Sequence, residues 1–224
     1  MKVISFGLWG SDPRYIDGAE TNVLLARRFY PGWQLWFFAD QTVPADTLNI
    51  LARQPDCRVM IADSTKERQH RLFWRFWAAS YPEVDIMLIR DTDSRIGQRE
   101  QLAVQDWLTN HNTGFHIMRD SPQHSVPMCG GMWGCRADRL RNIRQLINHY
   151  YDNGGDKEVR FGVDQDFLMQ VVWPLYAQHD CTEHDDFFAK KPFPYIPRHE
   201  KYYVGRAFGT TCPDFAQHTK KLPR

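Results

Sequence analysis

Two acidic residues two positions apart, Asp91 and Asp93, follow one of the longest apolar runs of this 224-residue chain, Ile86-Met87-Leu88-Ile89, with only Arg90 between. In an extended segment residues two apart project to the same side, so both carboxylates can address one ligand. Two hard oxygens aimed at one point suit Mg2+ or Mn2+, which takes one or two protein carboxylates and fills its remaining positions with water and substrate phosphate. The chemistry this predicts is departure of a diphosphate whose growing charge the cation offsets. A plainer role also fits, since Asp-x-Asp arises by chance and Asp91 with Ser94 can simply build a polar turn or cap a helix. Placement at the tip of an apolar strand favours the metal.

The surrounding elements must hold that pair in place. Residues 3–8 read as a buried strand closed by the turn-rich loop 9–13, residues 19–29 as a helix stopped by Pro31-Gly32, and residues 34–39 as a second strand. Residues 44–53 follow as a helix begun by Pro44, and residues 58–62 as a third strand. A helix at 71–80 ends at Tyr81-Pro82, and the strand at 84–90 carries the acidic pair at its carboxyl end. Its unbroken Ile-Met-Leu-Ile core predicts burial on both faces, as in a parallel sheet. Beyond it come a helix at 99–110, a strand at 114–118, a Gly-rich approach to a strand at 129–135, helices near 138–151 and 163–172, and a loop at 153–156. The remaining C-terminal stretch lacks clear periodicity and reads as a wrap over the active face. This alternation predicts a single α/β domain with an open, mainly parallel sheet, helices on both faces, and ligands outside the carboxyl ends of the strands.

Composition narrows the partners. Lys plus Arg number 28 against 27 Asp plus Glu, so no long-range field marks a nucleic-acid binder and a small partner is expected. The apolar runs are far too short to span a bilayer, and residues 7–12 interrupt any signal-peptide pattern, which makes a soluble, cytoplasmic protein the expectation. Five scattered cysteines without a C-x-x-C pair are expected to be reduced. There is no internal repeat or low-complexity segment.

The blocks Phe73-Trp74-Arg75-Phe76, Arg90-Asp91-Thr92-Asp93-Ser94-Arg95, His116-Ile117-Met118-Arg119-Asp120, Gly130-Gly131-Met132-Trp133-Gly134 and Gly162-Val163-Asp164-Gln165, in this order, resemble the GT-A glycosyltransferases, a chlorella-virus glycosyltransferase domain among them. The resemblance runs from the first strand to about Phe208. It implies a Rossmann-like GT-A fold with a nucleotide-binding half at about 1–98, an acceptor-side half at about 99–208 and a tail at about 209–224. It also implies a nucleotide-sugar donor, with UDP favoured, a Mn2+ or Mg2+ cofactor, and a glycan or other hydroxyl acceptor.

Carried over residue by residue, the resemblance makes Asp93 the direct metal ligand, and Asp91 a ligand of the ribose or of the metal through water. Thr92 lies between them. Phe6, Gly7 and Trp9, after the first strand, would offer backbone groups to the base, with Tyr15 stacking on it and Asp40 bonding base or ribose; a plain loop and turn are the alternatives. Arg75 would reach the acidic pair or the donor phosphates with its planar fork, or else lie on the surface covering aromatic side chains. Arg90 and Arg95 flank the carboxylates and can pair with them or stay solvated. Gly130 and Gly131 would admit the sugar close to the backbone, with Trp133 as its platform, unless the glycines merely relieve a tight corner. Asp164 would be the catalytic base or stabiliser, with Gln165 and Asp166 beside it, although an acid opening a helix is ordinarily a cap. His179 would supply a late metal ligand, in competition with His184 and His199.

Two other classes compete. A metal-dependent phosphatase or nucleotidyltransferase also uses paired Asp residues, but a haloacid-type phosphatase carries its pair after the first strand, where this chain has Trp9-Gly10-Ser11, and there is no G-x-x-x-x-G-K-[ST] loop. A non-catalytic sugar-binding module is the other.

Overall fold

The computed structural model describes residues 1–63, 69–155, 162–194, 196–199 and 201–223. Strand β1 (Lys2–Leu8) leads into helix α1 (Pro13–Phe29), then β2 (Gln34–Ala39), α2 (Ala45–Ala52) and β3 (Cys57–Ile61). A short helix α3 (Arg71–Trp74) tightens into a 3-10 turn, Arg75–Ser80, before β4 (Ile86–Ile89). Helix α4 (Gln98–Asn110), β5 (Phe115–Arg119), β6 (Trp133–Arg136), α5 (Ile143–Asp152) and α6 (Val163–Phe167) follow. The last helix runs on as a wide π-turned segment, Leu168–Ala177, and β7 (Cys181–Asp185) completes the sheet.

The seven strands lie in the order β3-β2-β1-β4-β6-β5-β7. Only β6 runs against the others, pairing antiparallel with β4 and β5. The expected open, mainly parallel sheet is therefore present, and side-chain alternation explains how both faces are covered. Ile4, Phe6 and Leu8 of β1 and Leu35 and Phe37 of β2 join a core under α1, α2 and α4, whereas Val3, Trp36 and Phe38 face Phe73, Phe76, Ile147 and Phe167 on the other side. After β3 the chain crosses to the far side of β1, where β4 pairs with it, Ser5 opposite Ile89. This is the reversal point at which open α/β sheets bind ligands, outside the carboxyl ends of the flanking strands. Among the described residues no helix is long and apolar enough to cross a membrane, and all five cysteines are free.

Several elements differ from expectation for physical reasons. Helix α1 starts earlier, because Pro13 presets its first turn and the Asp12 carboxylate accepts from the Arg14 amide at 2.8 Å. The 71–80 helix tightens where the Arg75 carbonyl accepts from the Ser5 hydroxyl at 2.6 Å. The segment near 138–151 divides into a 3-10 turn, Ala137–Leu140, and α5. Strand β7 lies within the stretch without clear periodicity that reads as a wrap over the active face. Its buried positions Thr182, His184 and Asp185 are polar, so they carry no apolar alternation. Of the loop expected at 153–156, Asp156 lies outside the described residues, as does Arg224 of the tail. The wrap itself is real further on, where the Phe208 amide donates to the Asp93 carbonyl at 2.8 Å.

Candidate active site

The carboxyl ends of β1 and β4 open into a cleft of about 570 Å3. Asp91, Thr92 and Asp93 form its floor in a turn closed by Ser94, whose amide and hydroxyl both donate to the Asp91 carbonyl, at 3.2 and 2.8 Å. Gly7, Trp9, Arg14 and Tyr15 line it from β1 and α1, and Arg75 from the segment preceding β4. Gly130 and Gly131, ahead of antiparallel β6, and Asp164 and Gln165 of α6 complete the wall. A β-carbon on Gly131 would lie 1.9 Å from a carboxylate oxygen of Asp91, so only glycine lets that acid rest against the backbone.

The electrostatics centre on three acids and two guanidinium groups. Arg75, buried, pairs with Asp91 and with Asp164 at 2.7 Å, while Arg14 pairs with Asp93. Burial acts to lower the Arg75 pKa, but Asp91 and Asp164 outweigh it and leave it raised. Burial raises the Asp93 pKa, and the neighbouring Asp91 charge raises it further against the pull of Arg14. Asp164 is likewise raised, first by burial and then, against Arg75, by Asp91. Two carboxyls are thus held above their ordinary values, first by burial and then by the neighbouring Asp91 charge. Among the described residues no three His, Cys, Asp or Glu side chains gather around one metal position. Asp91 and Asp93 bring two carboxylates to the cleft floor, the number that a hard divalent ion takes from protein when phosphate and water fill its other positions.

Not every expected residue reaches the cleft. Trp133 is fully buried, edge-on to Phe76 at 5.3 Å, so it belongs to the core and offers no sugar platform. Phe6 is also core, stacked on Phe37 at 5.0 Å; it is Gly7 and Trp9 that face the cleft. Asp40 is buried behind the site, held by Arg71 at 2.9 Å and by the Thr42 amide at 3.0 Å, and Thr42 in turn accepts from the Gly10 amide at 2.7 Å, steadying the loop after β1. His179 is exposed just before β7, at the opposite end of the sheet from Asp91, and so is no metal ligand there. His184 is buried against His116 and Asp106. The Gln165 amide is committed to backbone, accepting from Gly130 at 2.9 Å and donating to the Met128 carbonyl, which makes it a brace of the glycine wall. Arg90 pairs with Glu100 at 3.0 Å, and Arg95 donates to the carbonyls of Thr92, Ser94 and His218; neither touches the acidic pair. Arg14 does, and only its place in the first turn of a capped helix signals it in the sequence.

This sheet order, with one reversed strand and an acidic turn after the strand at the crossover, is the GT-A fold of glycosyltransferases. No protein-family model and no curated protein matches the chain, and the likeness lies with solved structures. A glycosyltransferase involved in the glycosylation of the major capsid of PBCV-1 superimposes with a TM-score of 0.54 at 15% identity, over 82% of this chain and 80% of that one. The glycosyltransferase GlyE of Streptococcus pneumoniae TIGR4 gives 0.54 at 14% identity, over 82% of this chain and 45% of that one. TarS 1-349 of S. aureus, in complex with UDP, gives 0.51 at 13% identity, over 75% of this chain and 54% of that one. The chain thus spans about half the length of the latter two.

Proposed function

We propose that this chain is a metal-assisted glycosyltransferase that moves a sugar from a nucleotide-sugar donor, UDP-linked, to an acceptor hydroxyl on a glycan. The observation that carries it is the convergence of Asp91, Asp93, Asp164 and Arg75 on a side-chain-free backbone at the β1/β4 crossover, in a fold shared with glycosyltransferases. UDP is favoured because TarS, a neighbour in fold, is known in complex with UDP.

Asp91 and Asp93 would hold Mn2+ or Mg2+, which supplies charge neutralisation for the departing diphosphate. Gly7, Trp9 and Tyr15 form the wall on the β1 side, where a base would lie within reach of backbone groups and one aromatic ring. Residues 1–98 would then serve the donor and residues 99–208 the acceptor. Gly130 and Gly131 leave room for the sugar beside Asp164, and Gln165 keeps that backbone in place. Asp164 accepts the acceptor's proton: burial makes it a better base than an ordinary aspartate, and Arg75 orients its carboxylate.

A panel of nucleotide-sugars with Mn2+ tests this directly. Release of nucleoside diphosphate, accelerated by an acceptor glycan, is the expected outcome. Release of inorganic phosphate would instead mark a phosphatase, and binding without turnover a sugar-binding module; either overturns the proposal.

A further inference from the structure

The two guanidinium groups of the cleft are unequally committed. Arg75 is fixed, its side chain 7% exposed and bridging Asp91 and Asp164. Arg14 is 34% exposed in the first turn of α1 and reaches Asp93 alone. Its Nε is buried and has no hydrogen-bond partner, and its guanidinium lies over the Tyr15 ring on the cleft wall, 5.2 Å from the centroid. A divalent cation and a guanidinium on one carboxylate repel each other, so they compete for Asp93. An arginine fork fits phosphate as well as it fits carboxylate.

We propose that Arg14 is an exchangeable counter-charge: it neutralises Asp93 in the empty cleft, releases it when cation and diphosphate enter together, and then binds the diphosphate. This rests on the metal-assisted function above. It follows that a cation alone must displace Arg14 with no anion to receive it, and a diphosphate alone meets three carboxylates and two arginines already engaged. Only the two together give the acids a cation and Arg14 an anion. The cleft therefore favours joint entry, with Arg14 as the coupling group.

The test is Mn2+ binding, followed by the paramagnetic signal of the free ion and by calorimetry, for the wild type, Arg14→Gln and Arg14→Lys. Each is titrated with Mn2+ alone, UDP alone and both. In the wild type UDP should tighten Mn2+ by about tenfold or more, the scale of a charge-assisted contact. Arg14→Gln should bind Mn2+ alone about two- to fivefold tighter, the scale of a partly exposed ion pair, and lose most of the UDP effect. Arg14→Lys, charged but without the fork, should fall between and gives the same comparison if the glutamine variant melts early. Wild-type Mn2+ affinity and UDP effect in both variants would overturn the role of Arg14 while leaving the proposed function standing. Absence of any joint Mn2+ and UDP uptake by the wild type would overturn both.

Discussion

Two of the buried polar clusters of the molecule are built to opposite ends. In the cleft, Asp91, Asp93 and Asp164 share Arg14 and Arg75, and two of the acids are held above their ordinary pKa. Between α4 and β7 one carboxylate, Asp106, takes Lys191 at 2.6 Å and His111 and His184 at 3.1 Å each, while His184 meets His116 at 2.8 Å. Burial raises the Asp106 pKa, but the hydrogen bonds of Lys191 and Asn110 bring it well below the usual range. His184 is depressed to about 4 and His116 lies lower than usual too, both chiefly by burial. The second cluster is richer in bases than in acid, keeps the His116 and His184 imidazoles neutral, and contributes nothing to the lining of the cleft between β1 and β4. Unrelieved charge facing a cavity distinguishes a site from a structural network.

The largest expected effect breaks the contrast at the cleft. Asp91→Asn with Asp93→Asn should reduce donor hydrolysis on the order of a thousandfold, measured as nucleoside diphosphate release, with the fold kept because Asp164 still pairs with the buried Arg75. Retained hydrolysis in that variant would break the assignment. Asp164→Ala should lower kcat by about a hundredfold or more while donor affinity changes little; equal losses in both would make it a binding group. The acid limb of the wild-type rate should sit above that of an ordinary aspartate, since Asp164 must be ionised and its pKa is raised. Removing Arg75, which lowers it, should push the limb higher still.

The His cluster should answer to stability alone. His184 has a folded pKa of about 4, below the unfolded 6.5, so protons favour the unfolded chain. Stability is full above the unfolded pKa and is lost as pH falls from 6.5 toward 4. The loss is up to about 3 kcal/mol, read by denaturant melts, and His184→Gln should flatten the profile without changing kcat at neutral pH. A kcat effect as large as that of Asp164→Ala would merge the two regions. Smallest is Trp133→Phe, expected to cost about 1–2 kcal/mol of stability and to leave donor KM unchanged, because the ring fills the core and not the cleft.

Much of the fold and of the cleft is legible in the sequence. Strands β1, β2 and β4 announce themselves as apolar runs, and Asp91 and Asp93 stand out by following the most buried of them. Asp164 and Gly131 needed the ordered blocks of a family resemblance, since an acid at a helix start or a pair of glycines has ordinary uses. Other features were hidden for physical reasons. Strand β7 is held by charge: Arg119 bonds Asp185 at 2.7 Å and also Glu183, so hydropathy could not reveal it. The core position of Trp133 is signalled only by its strand, where Trp133 and Cys135 share one face by alternation and both are buried. His179 resembled a ligand only by coming late in the chain, and sequence distance does not say at which end of a sheet a residue falls.

The strap that follows β7 binds two things at once. The Phe208 amide holds the Asp93 carbonyl at 2.8 Å, Arg95 joins the carbonyls of Thr92 and His218, and the Leu222 amide reaches Glu20 of α1 at 2.9 Å. Occupancy of the floor turn must therefore register far along the backbone. In deuterium exchange, the amides of Phe208 and Leu222 should slow together when cation and nucleotide are added, a fingerprint of engagement visible without any turnover.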